Sequence, residues 1–430
     1  MTKTAAAQAP TRGRFVILAL IAIGTMINYL DRAVLSVAAP SLTGELNMTP
    51  AVLGLMFSAF SWTYAGAQVP GGILLDKLGT RITYFLSVTT WSIFTALQGL
   101  ATGFWSLLIY RLGLGAAEAP CFPANSRVLA AWFPQQERAR ANAVYSVGQY
   151  VGLAFLSPVL YWITAEFGWR ALFFIAGGAG LVFAAVWLYK YHEPGRSKLA
   201  NAAELEHIRA GGGLITHEGG AKAKLSWGVA GKLLAKRQIL GASIGQFAGN
   251  STLVFFLTWF PTYLATERGM EWIKAGFFAI LPFVAASIGV IIGGILSDVL
   301  LRRSSSATIA RKLPIILGLF LASTIIAANF ATDNMAVIAI MSVAFFGQGM
   351  VNLGWTLITD VAPQKYIGFT GGIFNLCANL AGIITPLAVG FIVAFTGSFF
   401  WALAFIGILA LIGAAAYIFV VGPVERVEMD

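Results

Sequence analysis

The sequence predicts an all-α integral membrane protein of twelve transmembrane helices in two pseudo-symmetric six-helix bundles. The composition, the spacing of apolar runs and a repeat between the two halves carry that prediction. Of 430 residues, 58% are hydrophobic and 11% charged, against about 25% charged in soluble domains. Crossing a bilayer takes about 20 apolar helical residues. Runs of that length fall at 14–41, 50–76, 80–102, 104–131, 137–165, 169–190, 237–264, 272–300, 312–332, 335–361, 366–396 and 399–422, here spans 1 to 12. A polar stretch divides them six and six, giving residues 1–191, a linker at 192–236 and residues 237–430.

Span 1 follows basic residues without a small-residue cleavage site, so it is expected to be retained. It is apolar from Phe15 to Leu30 and then carries Asp31-Arg32 at mid-depth. A charge there costs about 3 kcal/mol on insertion scales, so it survives where it is paired, solvated or used. Span 2 ends in Gly71-Gly72-Ile73-Leu74-Leu75-Asp76, and span 8 in Gly293-Gly294-Ile295-Leu296-Ser297-Asp298, 222 residues later. Gly54 and Gly276, near the starts of those spans, keep the same offset, and Pro134-Gln135 is weakly echoed by Pro363-Gln364. Such a repeat in an apolar chain points to two related bundles with a site between them. Between the halves, Glu193-Pro194-Gly195, a helical run from Ala200 to Arg209 and a stop at Gly211-Gly212-Gly213 predict one surface helix on a cytoplasmic linker.

The net charge of +10 reports topology, not a nucleic-acid partner. With a cytoplasmic N-terminus, Arg170, Arg268 and Lys274 face outward, Arg32 and Arg111 lie in the membrane, and the other basic residues stay inside. That distribution places both termini in the cytoplasm. Cys121 and Cys377 lie in apolar segments and suggest no disulfide framework or metal cluster. His192, His207 and His217 all fall in the central polar segment, away from any buried relay. No nucleophile–base set, metal cluster or phosphate loop suggests an enzyme.

Span 4 carries Arg111 and Glu118, two turns apart on nearly the same face. In the second half the interior is marked by amides and an aromatic: Gln246, Asn250, Asn352, Trp355, Asn375 and Asn379. Asp31, Arg32, Arg111 and Glu118 sum to zero when ionised. Arginine matches a carboxylate bidentately and keeps its proton, whereas a carboxyl taken out of water resists ionising. Such a site should bind an organic anion best when its carboxyls are protonated, which is proton symport of an anion. The competing arrangement pairs Asp31 with Arg111 and Glu118 with Arg32 permanently, with the substrate elsewhere. The sequence after span 2 also suggests a breakable charge cluster, with Asp76 beside Arg81 and a second copy at Asp298 with Arg302 and Arg303.

The segment Gly71-Gly72-Ile73-Leu74-Leu75-Asp76-Lys77-Leu78-Gly79-Thr80-Arg81 resembles the major facilitator superfamily. That family carries Gly-x-x-x-Asp-x-x-Gly-x followed by Arg or Lys between its second and third helices. Asn28-Tyr29-Leu30-Asp31-Arg32, Phe57-Ser58-Ala59-Phe60-Ser61-Trp62, Ala117-Glu118-Ala119-Pro120-Cys121-Phe122-Pro123, Ala131-Trp132-Phe133-Pro134 and Gly371-Gly372-Ile373-Phe374-Asn375 are similar to its anion:cation symporter family. So are Gly211-Gly212-Gly213-Leu214 and Thr258-Trp259-Phe260-Pro261, and the match runs nearly end to end. The chain most resembles bacterial importers of galactonate, glucarate and hexuronate. The resemblance implies that Asp31 and Glu118 take protons, that Arg32 holds the substrate carboxylate, and that Arg111 tunes Glu118 or exchanges partners with it. Tyr29, Tyr64, Gln149, Asn352, Trp355 and Asn375 would surround the rest of the substrate, with Asp76, Arg81 and Asp298 as the gate.

Residues and resemblance together imply a monomeric, cofactor-free symporter of the bacterial inner membrane, in contact with lipid, that imports a sugar acid with protons by alternating access. The galactonate branch carries small hydroxyl residues where this chain has Asn352 and Gly354, so the acid stays open. A second carboxylate on a diacid could engage Arg111. The alternative keeps the fold and changes the cargo to an aromatic or short hydroxy acid, phthalate-like or tartrate. A non-transporting sensor would carry a signalling extension, and none is visible at either terminus.

Overall fold

The computed structural model describes residues 9–213, 227–303, 306–363 and 366–428. Leu214, His217 and Gln364, named above, lie outside the described residues. Eight described helices are long and apolar enough to cross a bilayer, by length and composition. One of them, Gln135–Lys190, runs for 56 residues and turns at Gly168, so it supplies spans 5 and 6. Spans 2 to 4 are built from shorter pieces, Pro50–Gly66, Gln68–Gln98, Phe104–Glu118 and Cys121–Trp132. Within Gln68–Gln98 the chain reverses at Gly79, whose φ of 76° is open to glycine at little cost. Span 2 ends and span 3 begins there.

Two breaks fall at matching places in the halves. Span 4 is interrupted at Ala119-Pro120, immediately after Glu118, because proline cannot continue the hydrogen-bond ladder. Span 10 is interrupted at Asn352-Leu353, between Asn334–Val351 and Gly354–Val361. Discontinuous helices facing a shared interior are a recurring way to expose polar groups at mid-membrane depth.

The halves meet chiefly at the end away from the linker. There one buried cluster draws on both, including Leu42, Leu53 and Phe57 from the first and Trp259, Tyr263 and Phe399 from the second. Backbones touch where glycine allows it. A Cβ on Gly54 would lie 2.5 Å from Pro386 O, and one on Gly390 would lie 2.7 Å from Pro50 O. On the other flank a Cβ on Gly276 would lie 2.9 Å from the Tyr161 Cβ. The repeated glycines therefore perform matching tasks, joining span 2 to span 11 and span 8 to span 5. Small residues at such crossings permit the close packing that holds membrane helices together.

The linker helix forms at Ala202–Ala210, starting two residues later than the sequence suggested. It docks on the first bundle through a fully buried carboxylate. Glu204 accepts hydrogen bonds from Gly13 N at 3.0 Å, from Arg14 N and Arg14 Nη1 at 3.1 Å each, and from the Thr11 hydroxyl. It thus serves the unsatisfied N–H groups that begin span 1, as a capping side chain does, and an anion there complements the helix dipole. Arg14 Nε also pairs with Glu137 at 3.0 Å, which faces the His207 ring. Hydrogen bonds to charged groups contribute about 2 kcal/mol. Glu204→Ala should therefore lower the melting temperature of the detergent-purified protein by several degrees, and Glu204→Gln by less. An alanine variant melting with the parent would show that the clamp does not support the fold.

Candidate functional site

A polar cavity of about 600 Å³ lies between the two bundles. Its lining residues Asn142, Trp355 and Gly372 are exposed, whereas the far end is closed by the packing around Gly54 and Gly390. The cavity therefore reaches the linker face of the protein. Tyr29, Arg32, Tyr64 and Gln149 line it from the first half, and Asn352, Trp355 and Asn375 from the second.

Arg32 is the charged side chain on this wall among the described residues. Its Nε donates to Glu118 Oε2 at 2.9 Å. The guanidinium carbon also sits 5.1 Å from the Tyr29 ring centre, 4.7 Å from Phe60 and 4.8 Å from Tyr64. Aromatic faces attract a cation, most strongly where water is thin. The cage thus fixes the plane of the guanidinium and leaves part of its edge toward the cavity.

The carboxyls stand behind that wall. Glu118 is fully buried, and the Asn28 amide is set against it although its second oxygen, Oε1, closes no hydrogen bond of good geometry among the described residues. Neither oxygen of Asp31 has one, although the Trp91 indole is set against it. Each carboxyl therefore has an acceptor free to carry a proton, and Glu118 communicates with the cavity through Arg32.

Arg111 departs from expectation. It is 2% exposed, does not line the cavity and forms no ion pair with Asp31 or Glu118 within 4.0 Å. Its Nε donates to Met56 O at 3.1 Å and its Nη2 to Phe57 O at 3.5 Å. The side chain has turned to span 2, where it braces that helix instead of reaching the cavity as the expected substrate contact would. The doubly paired arrangement of Asp31 with Arg111 does not form either.

The charge clusters on the linker face also differ from those the sequence suggested. Asp76 pairs with Arg127 at 3.4 Å, not with Arg81. Because the chain reverses at Gly79, Arg81 lies across from span 6, where its Nε donates to Leu188 O at 3.1 Å. In the second half Asp298 makes no ion pair among the described residues, and Arg302 and Arg303 are exposed. The pair there is Arg311–Asp360 at 2.8 Å, and Arg311 Nη1 also donates to Ser297 Oγ.

Sequence reasoning passed over Gln348 and Tyr150, whose side chains meet across the cavity with the Tyr150 hydroxyl 3.4 Å from Gln348 Oε1. A lone glutamine inside the apolar run Phe345-Phe346-Gly347-Gln348 carried the same signal as the amides that were noticed.

Two repeated bundles enclosing a polar, linker-facing cavity define a membrane transporter of the alternating-access class, not an enzyme. The chain belongs to the Major Facilitator Superfamily, whose family model matches residues 21–386. It is 43% identical to the probable galactarate/D-glucarate transporter GudP of Escherichia coli, over 97% of this chain and 96% of that protein. It is 44% identical to an Escherichia coli D-galactonate transporter, over 97% and 98%. Among solved structures it resembles an inward-facing, occupied bacterial homologue of the human lysosomal transporter Spinster. There the TM-score is 0.71 at 20% identity, covering 95% of this chain and 96% of that one.

Proposed function

We propose that this chain imports a sugar acid together with protons across the inner membrane of a bacterium, as a monomer with both termini and the linker in the cytoplasm. The observation that carries the reading is Arg32, caged on the cavity wall with its Nε held by the buried Glu118. The sugar-acid cargo follows the names of the relatives at 43% and 44% identity.

In this reading a proton on Glu118 weakens its hold on Arg32, which then turns its edge to the substrate carboxylate. A second proton on Asp31 removes the remaining negative charge in span 1. Anion and protons thereby favour one another's binding by the same factor. Tyr29 and Tyr64 flank the carboxylate end, while Gln149, Asn352, Asn375 and Trp355 offer donors, acceptors and a ring face to the hydroxylated chain. Asp76–Arg127 and Arg311–Asp360, each within one bundle, hold the linker-side helix ends while the cavity is open there. Asp298 and Arg81 border these pairs.

Uptake of galactonate and galactarate into proteoliposomes under an imposed pH gradient tests the reading. Glu118→Gln should abolish accumulation driven by the gradient while retaining exchange of substrate across the membrane. Phthalate and tartrate should compete poorly, since neither presents a long hydroxylated chain to the amides. Gradient-driven accumulation by the glutamine variant equal to the parent would remove Glu118 from coupling.

A further inference from the structure

The cavity wall holds one cation and no second among the described residues. Apart from Arg32, its titratable groups there are the phenols of Tyr29, Tyr64, Tyr145 and Tyr150. Opposite Arg32 the second bundle presents the amides Gln246, Asn250, Asn352, Asn375 and Asn379. Some of their N–H groups are already used. Asn250 Nδ2 donates to Ala378 O at 2.6 Å, and Asn379 Nδ2 donates to Asn375 O at 2.9 Å and to Asn375 Oδ1 at 3.1 Å. The second guanidinium of the interior, Arg111, is turned to the Met56 and Phe57 carbonyls. Asp31 and Glu118 lie behind the wall and add no positive charge.

A sugar acid reaching across from Arg32 therefore ends among neutral groups. An amide N–H can bond a carboxylate but brings no charge to cancel it, and a desolvated ion without a counter-charge is penalised. A hydroxyl or an un-ionised carboxyl is both donor and acceptor and suits an amide better. We propose that the cavity takes sugar acids as monoanions, with one ionised carboxylate on Arg32 and an uncharged far end. A diacid then enters with its second carboxyl protonated. This rests on the sugar-acid reading above.

The test compares the dissociation constants of galactonate and galactarate for the purified parent protein at pH 5.5, 6.5 and 7.5. The two acids share a carbon chain and differ at one end, so titration of the protein itself cancels in their ratio. Carboxyls of this kind release their proton near pH 3.5, so above it the protonated fraction falls about tenfold per unit. Apparent affinity falls with the competent fraction. The ratio of the galactarate to the galactonate constant should therefore rise about 100-fold between pH 5.5 and 7.5. The monoamide of galactarate, whose far end cannot ionise, should keep a constant ratio to galactonate. A galactarate ratio that ignores pH overturns the monoanion proposal and leaves the sugar-acid reading standing. Failure of galactonate, galactarate and the monoamide alike to bind at any pH overturns both.

Discussion

Arg32→Lys is expected to weaken anion binding about 100-fold, although the charge is kept. Two charge-assisted hydrogen bonds from a planar guanidinium to one carboxylate amount to about 3 kcal/mol, and each 1.4 kcal/mol is a factor of ten. An ammonium is a point charge that cannot reproduce the fork. Nor can it lie flat among Tyr29, Phe60 and Tyr64, 4.7–5.1 Å from the ring centres, while also meeting Glu118. Calorimetric titration of galactonate into parent and variant provides the measurement. A lysine variant binding within threefold of the parent would show that the site needs charge and not planar geometry.

Gly54→Leu should have an effect of similar size for a different reason. The Gly54 Cα lies against Gly390 and Pro386 O, leaving no room even for a methyl group. An isobutyl group there separates span 2 from span 11 at the sealed end. The variant should then favour the state open on that side, leaving external ligand binding intact and transport reduced at least about 100-fold, since a shift from 1:99 to 99:1 takes about 5.5 kcal/mol. Spin labels at Glu166 and Lys274, in a background lacking Cys121 and Cys377, report the separation of spans 5 and 8 at that end. An unchanged distance together with parental uptake would exclude this crossing as a latch.

Most of the fold was legible because apolar length and a polar divider leave few alternatives for a chain of this composition. The cavity wall was legible by one rule, that a polar side chain inside an apolar span needs a polar interior. That rule finds Gln246, Asn352 and Asn375, and applied more evenly it would also find Gln348, whereas Gln149 comes from the family resemblance. Arg111 was misplaced because seven-residue spacing fixes a helix face but not the direction in which a long side chain turns. Here it took the second lone pairs of carbonyls on span 2. The partners within the linker-side charge cluster are not legible, because neighbours in sequence need not be neighbours in space. The reversal at Gly79 separates Asp76 from Arg81 and leaves the carboxylate to Arg127. Of the two helix breaks, Pro120 announced one, whereas nothing in Asn352-Leu353 announced the other.

The proposed protonation of the group around the Arg32–Glu118 pair would also set what the membrane voltage can act upon. In the proposed cycle the empty carrier has Asp31, Arg32, Arg111 and Glu118 all ionised and cancelling, so the return of the empty site would displace no net charge from this group. With both carboxyls protonated and a monoanion on Arg32, one positive charge remains to be moved. Voltage does about 2.3 kcal/mol of work on each elementary charge per 100 mV. Under the proposed symport a potential negative inside would therefore draw the loaded carrier inward and leave the empty one indifferent, so that this group of four side chains would act as an electrical rectifier.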